Sequence, residues 1–118
     1  MLFYHNANGR LFRDEKFLAS GYSGFADGKN NPALMNEPDI GPIPCGVYDL
    51  EKITHPGLAD PVFRLNPHPE NNMFGRAGFL IHGDSVAAPG TASHGCIIMM
   101  RSVRNNIATE GDKTITVV

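Results

Sequence analysis

Glycine and proline interrupt this sequence so often that long helices are excluded. The 118 residues include 13 glycines and 9 prolines, spread along the chain. Both residue types end helices, and the runs between them favour short strands joined by turns. Apolar residues make up 42% of the chain and charged residues 19%, which is enough apolar surface to bury a core. We therefore expect one mainly β domain over residues 1–118.

The strands can be placed from local patterns. Asn8-Gly9 between two apolar-rich runs predicts a hairpin of the strands Leu2–Asn6 and Arg10–Arg13. Residues 21–32 are rich in Gly, Asn and Pro and predict a long surface loop, which can form the wall of a site. Further strands are predicted at Lys16–Ser20, Val47–Ile53, Val62–Leu65, Gly78–His82, Cys96–Met100 and Thr114–Val118.

One helix is predicted near the C-terminus. Arg101–Glu110 places Val103 and Ile107 on one face, and Gly111 follows as a residue that can end the helix. Many short strands with a single helix are typical of a β-sandwich or a partial barrel. We therefore expect a mainly β sandwich or partial barrel with one short helix.

Charge and hydropathy exclude two classes of partner. Lys and Arg total 10 against 12 Asp and Glu, so the net charge is −2, whereas nucleic-acid binding needs a basic surface. The longest apolar run, Cys96–Met100, has five residues, far fewer than the ~20 of a membrane-spanning helix. Met1–Asn6 lacks the basic start and apolar stretch of a signal peptide. We expect no nucleic-acid partner, no membrane span and no export by a visible signal peptide.

A histidine and a cysteine stand at predicted strand ends. His82 ends an apolar strand and is followed by Gly83, so its ring can point into a cleft. Cys96 follows Ser93-His94-Gly95 where a turn becomes a strand, and the glycine lets a substrate approach the backbone closely. A free thiol has a pKa near ~8.5 and is mostly protonated at neutral pH. Cys96 is thus a candidate nucleophile that needs a nearby imidazole as base.

Two imidazoles compete for the role of base. In an extended segment, His94 and Cys96 lie on the same face but too far apart for an easy hydrogen bond. His82, on a neighbouring strand, can lie opposite the sulfur. We therefore favour His82 and expect His94 to line the substrate side or to orient the loop. Ser93 either bonds backbone groups in a turn, orients His94 or touches substrate.

The pattern of His82 followed by Ser93-His94-Gly95-Cys96 resembles the signature of L,D-transpeptidase catalytic domains. Ten residues separate His82 from Ser93, fewer than in the common cell-wall enzymes. A closer resemblance, over nearly the whole chain, is to the Tlde1-type toxin family of small L,D-transpeptidase-like effectors delivered by type VI secretion. The matching segments are Gly21-Tyr22-Ser23-Gly24, Asn30-Asn31-Pro32, Gly41-Pro42-Ile43-Pro44 with Gly46 and Tyr48, Phe79–Asp84 and Ser93–Ile97. Cys45 departs from the family, which has a proline there, and is given no catalytic role.

The resemblance implies an enzyme that acts on peptidoglycan. Cys96 would attack the carbonyl that joins the L-centre of diaminopimelate to the terminal D-Ala of a stem tetrapeptide. Water would then complete an L,D-carboxypeptidase reaction, and a D-amino acid would complete an L,D-transpeptidase exchange. The Gly83 carbonyl would fix the His82 tautomer, and N–H groups around Gly95 and Cys96 would hold the oxyanion.

The resemblance also implies partners and a place of action. The expected partners are a peptidoglycan stem peptide, a cognate immunity protein and a component of the secretion apparatus, and no cofactor is expected. The enzyme would act in the periplasm of target bacteria. The candidate substrate-binding residues are Tyr22, Asn30, Asn31, Arg76, Asp84 and Gly95, with Arg101 and Arg104 as further cations for acidic groups of the stem. Each of them also has an ordinary alternative as a loop-stabilising or solvated residue.

Three alternatives remain open at this stage. His82, Asp84, His94 and Cys96 together are a set of possible zinc ligands, but they lack the paired C-x-x-C spacing of a structural site, so we expect no metal. The same fold without catalysis would make a wall-binding or assembly module. A housekeeping or phage cell-wall L,D-transpeptidase would use the same residues in another context.

Overall fold

Nine β-strands form one sheet in the computed structural model, which describes residues 1–118. The strands are β1 (Leu2–His5), β2 (Arg10–Arg13), β3 (Lys16–Ser20), β4 (Tyr22–Ser23), β5 (Gly46–Ile53), β6 (Val62–Pro67), β7 (Leu80–His82), β8 (Ile97–Ile98) and β9 (Thr114–Val117). The α-helix is α1 (Arg101–Glu110), and short 3₁₀ helices lie at Ala26–Gly28 and Pro32–Leu34. The strand order is β3-β2-β1-β9-β5-β6-β7-β8-β4, and the sheet curls into a nearly closed barrel. The predicted mainly β fold of partial-barrel type is confirmed.

The N-terminal hairpin forms where the sequence predicts it. β1 pairs with β2 in antiparallel register, with His5 opposite Arg10. Gly9 has a φ of +74°, and a Cβ there would lie 2.0 Å from the carbonyl oxygen of Gly21. Only glycine fits this position, because both the backbone conformation and the close approach exclude a side chain.

The prediction of a loop over residues 21–32 is partly wrong. Tyr22 and Ser23 form β4, which pairs antiparallel with β8 as the last strand of the sheet. The remaining residues up to Pro32 are irregular apart from the 3₁₀ turns. A two-residue strand has no detectable periodicity, and its pairing with a segment about 75 residues later depends on the tertiary fold.

The strand that carries His82 and the strand that precedes the helix are both shorter than predicted. β7 begins at Leu80 because Gly78 has a φ of +82°, which interrupts the extended backbone. β8 ends at Ile98, although the N–H of Met99 still donates to the His82 carbonyl at 3.0 Å. β7 and β8 are parallel neighbours, and this pairing brings the two strongest candidate residues to one region of the sheet.

A cluster of 16 buried apolar residues forms the core and joins the sheet to the helix. Val103 and Ile107 of α1 belong to it, as their spacing predicts. The helix ends at Gly111, whose φ of +69° and N–H bonds to the carbonyls of Ile107 and Ala108 form a left-handed cap. No helix in the chain has the length and apolar character that crossing a membrane requires.

Candidate active site

Cys96 lies immediately before β8, at the end of the turn formed by Ser93–Gly95. Its half-buried side chain lines a surface cavity together with Arg76, Phe79 and His94. The sulfur accepts a hydrogen bond from the Leu80 N–H of β7 at 3.4 Å. The thiol is therefore anchored to the neighbouring strand while one side of it faces the cavity.

The environment of Cys96 favours the neutral thiol at rest. Burial raises the pKa of the Cys96 thiol above its ordinary value. The Leu80 N–H and the positive charge of Arg76 lower that pKa, but they do not outweigh burial. The thiol stays protonated at neutral pH, so nucleophilic attack requires a base.

His82 ends β7 with its ring held in one orientation. The side chain is 6% exposed, and its Nδ1 lies 2.8 Å from the carbonyl oxygen of Gly83. A carbonyl can only accept, so Nδ1 carries the proton and Nε2 keeps a free lone pair. Burial lowers the pKa of His82, and the nearby Arg104 guanidinium lowers it further, although the Gly83 carbonyl opposes them. His82 is thus a neutral imidazole able to accept a proton at Nε2.

The structure places His82 and Cys96 on adjacent strand segments but not in direct contact. His82 is the register partner of Ile98, so Leu80 rather than His82 lies beside Cys96. Side chains two residues apart share a face, with an offset of roughly 6.6 Å along the strand. His82 and Cys96 line different cavities, and no hydrogen bond joins them. A proton transfer between them therefore needs a rotation of one side chain or a bridging group.

His94 shares the cavity of Cys96, which the sequence left as the second choice of base. Its Nδ1 lies 2.9 Å from the carbonyl oxygen of Asp39, so Nε2 is again the free nitrogen. The ring packs against Phe25 with centroids 5.2 Å apart. His94 is exposed and faces the cavity from a loop, which is suitable for contact with substrate.

Ser93 is the centre of the turn that carries the thiol. Its buried hydroxyl donates to the Cys96 carbonyl at 2.6 Å and accepts the N–H groups of Gly24 at 2.9 Å and Gly95 at 3.1 Å. The sequence leaves three roles open for Ser93, and the structure shows the first of them, hydrogen bonding to backbone groups of the turn. The Gly95 N–H is thereby occupied, whereas the resemblance implies that it binds an oxyanion. The N–H groups of Ser93, His94 and Cys96 have no acceptor within the protein, and that of Cys96 belongs to the residue that carries the sulfur.

Replacing Ser93 with alanine is expected to destabilise the fold. The change leaves two buried N–H groups and a carbonyl without their partner, which costs roughly 2–4 kcal/mol of unfolding free energy. Urea unfolding followed by circular dichroism measures this cost. Ser102→Ala, at an exposed position on α1, is the matched control and should change the free energy by less than about 0.5 kcal/mol. Coincident unfolding curves for Ser93→Ala and the unmodified protein would contradict the assigned role.

Ser23 supports the same turn from β4, a role that is not predicted from the sequence. Its buried hydroxyl donates to the Gly95 carbonyl at 2.8 Å and accepts the Ile43 N–H at 2.9 Å. A Cβ on Gly95 would lie 2.6 Å from Arg76 Nη2 and 2.7 Å from the Phe79 ring. The position of the turn thus depends on Ser23, and the nearby glycines Gly21 and Gly24 are the signal for it that the sequence contains.

Arg76 lines the Cys96 cavity, but its donors are used by the protein. Nη1 donates to the carbonyls of Met35 and Pro42, both at 2.7 Å, and Nη2 donates to those of Gly41 at 3.0 Å and His94 at 3.1 Å. The guanidinium therefore joins the 35–42 segment to the His94 loop. The sequence suggests a substrate contact for Arg76 and does not reveal this role, because the acceptors lie 18 to 41 residues away along the chain.

Tyr22 and Asp84 contact each other. Tyr22 Oη donates to Asp84 Oδ1 at 2.6 Å and accepts the Ala92 N–H at 2.9 Å. Burial and this hydrogen bond raise the pKa of Tyr22 to about 12. Burial also raises the pKa of Asp84, but hydrogen bonds from Tyr22 and from the N–H groups of Gly90 and Ser85 outweigh it, so the net shift is downward. The pair holds the loop between β7 and the Cys96 turn in place.

Asn30 and Asn31 also make local contacts. Asn30 Oδ1 accepts the Ser23 N–H at 3.2 Å, beside the serine that supports the Cys96 turn. Asn31 Oδ1 accepts the Ala33 N–H at 3.2 Å and caps the second 3₁₀ helix, and its Nδ2 donates to the Asp27 carbonyl at 3.1 Å. Both amides shape the loop that precedes the site.

The four residues of the zinc alternative do not converge. His82 and Asp84 line one cavity and His94 and Cys96 another, and no three His, Cys, Asp or Glu side chains come close enough to share an ion.

Cys45 is a free, half-buried thiol that packs against the core. It does not line the Cys96 cavity.

Comparison with known proteins identifies the family of this chain. The family model described as the Tlde1 domain matches residues 18–117, which include every candidate site residue. Neither the curated proteins nor the solved structures contain a significant match. The matched region covers most of the chain, and the family is one of type VI secretion effectors, whose members imply an immunity partner. The chain therefore belongs to the Tlde1 domain family.

Proposed function

We propose that this protein is an antibacterial effector enzyme that cleaves peptidoglycan stem peptides through a cysteine acyl-enzyme. The observation that carries the proposal is the Cys96 thiol, which is anchored to β7, faces a surface cavity and lies one strand away from a neutral imidazole. Membership of an effector family supports the same reading. The reaction class is acyl transfer from the bond between diaminopimelate and the terminal D-Ala.

In the acylation step, His82 Nε2 takes the thiol proton, either after rotation of one of the two side chains or through a bridging group, and the sulfur attacks the carbonyl carbon. The new S–C bond gives a tetrahedral oxyanion, to which the free Cys96 N–H, on the same residue as the sulfur, would donate a hydrogen bond. Collapse breaks the C–N bond, and the imidazolium returns the proton to the leaving amine of D-Ala. The Gly83 carbonyl holds Nδ1–H throughout and stabilises the charged ring.

The fate of the thioester sets the overall activity. Water attacks it with His82 as base, which regenerates the thiol and leaves a tripeptide, so the activity is that of an L,D-carboxypeptidase. The amine of a D-amino acid attacks it in the same way and gives L,D-transpeptidase exchange. His94 lines the cavity beside the sulfur and is assigned to the acyl side of the substrate.

The proposed place of action is the periplasm of a target bacterium. An effector of this kind reaches it through the contractile secretion apparatus, and a component of that apparatus is the proposed delivery partner. The producing cell needs an immunity protein, and the surface cavity at Cys96 is the part of the molecule such a protein would cover. Loss of tetrapeptide donors weakens the target wall.

Purified tetrapeptide muropeptides provide the direct test. The protein is expected to convert them to tripeptides, with loss of one D-Ala measured by mass spectrometry. Adding a second, isotopically labelled D-amino acid measures exchange in the same reaction. Intact tetrapeptide after prolonged incubation with folded protein, with and without the added amino acid, would overturn the enzymatic proposal and leave a wall-binding module.

A further inference from the structure

The cavity that His82 lines has an excess of positive charge. It measures about 570 Å³, larger than an amino acid, and its wall includes Gly83, Arg101 and Arg104. Asp84 is the acidic residue of the wall, and its oxygens already accept hydrogen bonds from Tyr22 and backbone N–H groups. A ligand in this cavity meets two guanidinium groups and one carboxylate that is already engaged.

Arg104 is the unusual member of this wall because its charge is buried without a counterion. The residue is 4% exposed. Nε donates to the Met99 carbonyl at 3.0 Å, and Nη1 donates to the carbonyls of Ala59 and Pro61, both at 2.8 Å. Nη2 has no acceptor, and no carboxylate pairs with Arg104. Burying a cation without an anionic partner raises the free energy of the folded protein, so an anion bound in the cavity would offset part of that increase.

The start of α1 adds to the same charge. No side chain caps the helix N-terminus at Met100, and the first turn contains no acidic residue. Arg101 and Arg104 lie in this turn instead, against the usual preference for acidic residues at the positive end of the helix dipole. This order of charges lowers stability unless an anion binds near the first turn.

The free nitrogen of Arg104 lies beside the proposed base. A Cβ built on Gly83 would lie 2.7 Å from Arg104 Nη2, so the guanidinium packs directly against the residue after His82. In D-alanine, one carbon atom separates the amine from the carboxylate. If His82 gives its proton to the leaving amine, a group that binds the carboxylate of the same molecule must lie near His82, and the Arg104 guanidinium is such a neighbour in the same cavity.

We propose that this cavity is the subsite for the C-terminal carboxylate of the D-Ala that leaves, held by Arg104 Nη2 with Arg101 at the entrance. The inference rests on the proposed function, because it takes His82 as the group that protonates the leaving amine. A charge-assisted hydrogen bond forms between the guanidinium and the carboxylate. The subsite explains how an effector with an open cavity selects the terminal residue of a stem peptide.

The test compares a tetrapeptide with its C-terminal amide, which differs only in the charge that Arg104 would bind. The unmodified protein is expected to cleave the carboxylate form about 10- to 100-fold faster in kcat/KM than the amide. Arg104→Gln is expected to bring this ratio close to one, and Arg101→Gln to reduce it less. The ratio is measured within one preparation, so partial unfolding of a variant does not change it.

Arg10→Gln, at an exposed position on β2, is the control and should keep the full ratio. Arg104→Lys, which retains a positive charge, is expected to restore part of the preference. Equal cleavage of acid and amide by the unmodified protein would overturn the subsite and leave the proposed function standing.

A separate binding experiment keeps the two proposals apart if neither peptide is cleaved, an outcome that counts against the proposed function. Binding of N-acetyl-D-alanine is then followed through the NMR signals of the Gly83 amide and the Arg104 Nε–H group. Saturable shifts with N-acetyl-D-alanine and not with its amide would support the carboxylate subsite. Absence of shifts, or equal shifts with the amide, would overturn it.

Discussion

Cys96→Ala is expected to reduce the release of D-Ala from tetrapeptide muropeptides by at least about 10³-fold. The substitution removes the atom that forms the acyl-enzyme, and no other thiol lines the cavity. The rate is measured by mass spectrometry on muropeptides. Thermal unfolding of the variant, monitored in parallel, checks that the loss is chemical and not structural.

Cys45→Ala is the matched control for this variant. Cys45 is also a free, half-buried cysteine, but it packs against the core away from the Cys96 cavity. The control should keep its rate within a few-fold of the unmodified protein. Activity that persists in Cys96→Ala and disappears in Cys45→Ala would reverse the assignment of the nucleophile.

His82→Gln is expected to lower kcat/KM by about 10²- to 10⁴-fold, whereas His94→Gln should lower it by less than about tenfold. Glutamine retains a hydrogen-bonding side chain but cannot take the thiol proton. His82 combines a neutral ring with a fixed tautomer, and His94 is an exposed ring on a loop. The opposite order of the two losses would transfer the role of base to His94, which shares the cavity of Cys96.

The pH profile separates the two histidines further. Burial lowers the pKa of His82 below its ordinary 6.5, so the ring stays neutral and active at neutral pH. As the pH falls through that lowered pKa, the ring is protonated and activity is lost. We expect the acid limb of kcat/KM to have its midpoint below 6.5 and to persist in His94→Gln. A midpoint above 6.5 would contradict His82 as the base.

Much of the fold follows from local patterns in the sequence. The hairpin turn at Asn8-Gly9 and the helix Arg101–Glu110, with Gly111 as its cap, form as predicted. Each of these depends on residues within a few positions of one another, since turn geometry and helical spacing are short-range properties. The mainly β class follows from the same patterns.

The arrangement around Cys96 depends on contacts that the sequence does not reveal. Arg76 bonds carbonyls on two distant loops, and Ser23 reaches the Gly95 carbonyl across 72 positions. The register of β7 on β8 places Leu80 beside the sulfur, and a periodicity of two cannot fix such a register between strands of three and two residues. The residue types and motifs of the sequence are sufficient to propose the candidate residues, but they do not give the distances between them.

The N-terminal hairpin has a practical consequence for work with shortened fragments. The family match starts at residue 18, yet β1 lies between β2 and β9 and buries Leu2 and Tyr4 completely. A fragment trimmed to the matched region would bare the β9 edge, where strands from other molecules can add and seed aggregation. Recombinant versions meant for crystallisation or inhibitor screening should therefore keep the first 17 residues.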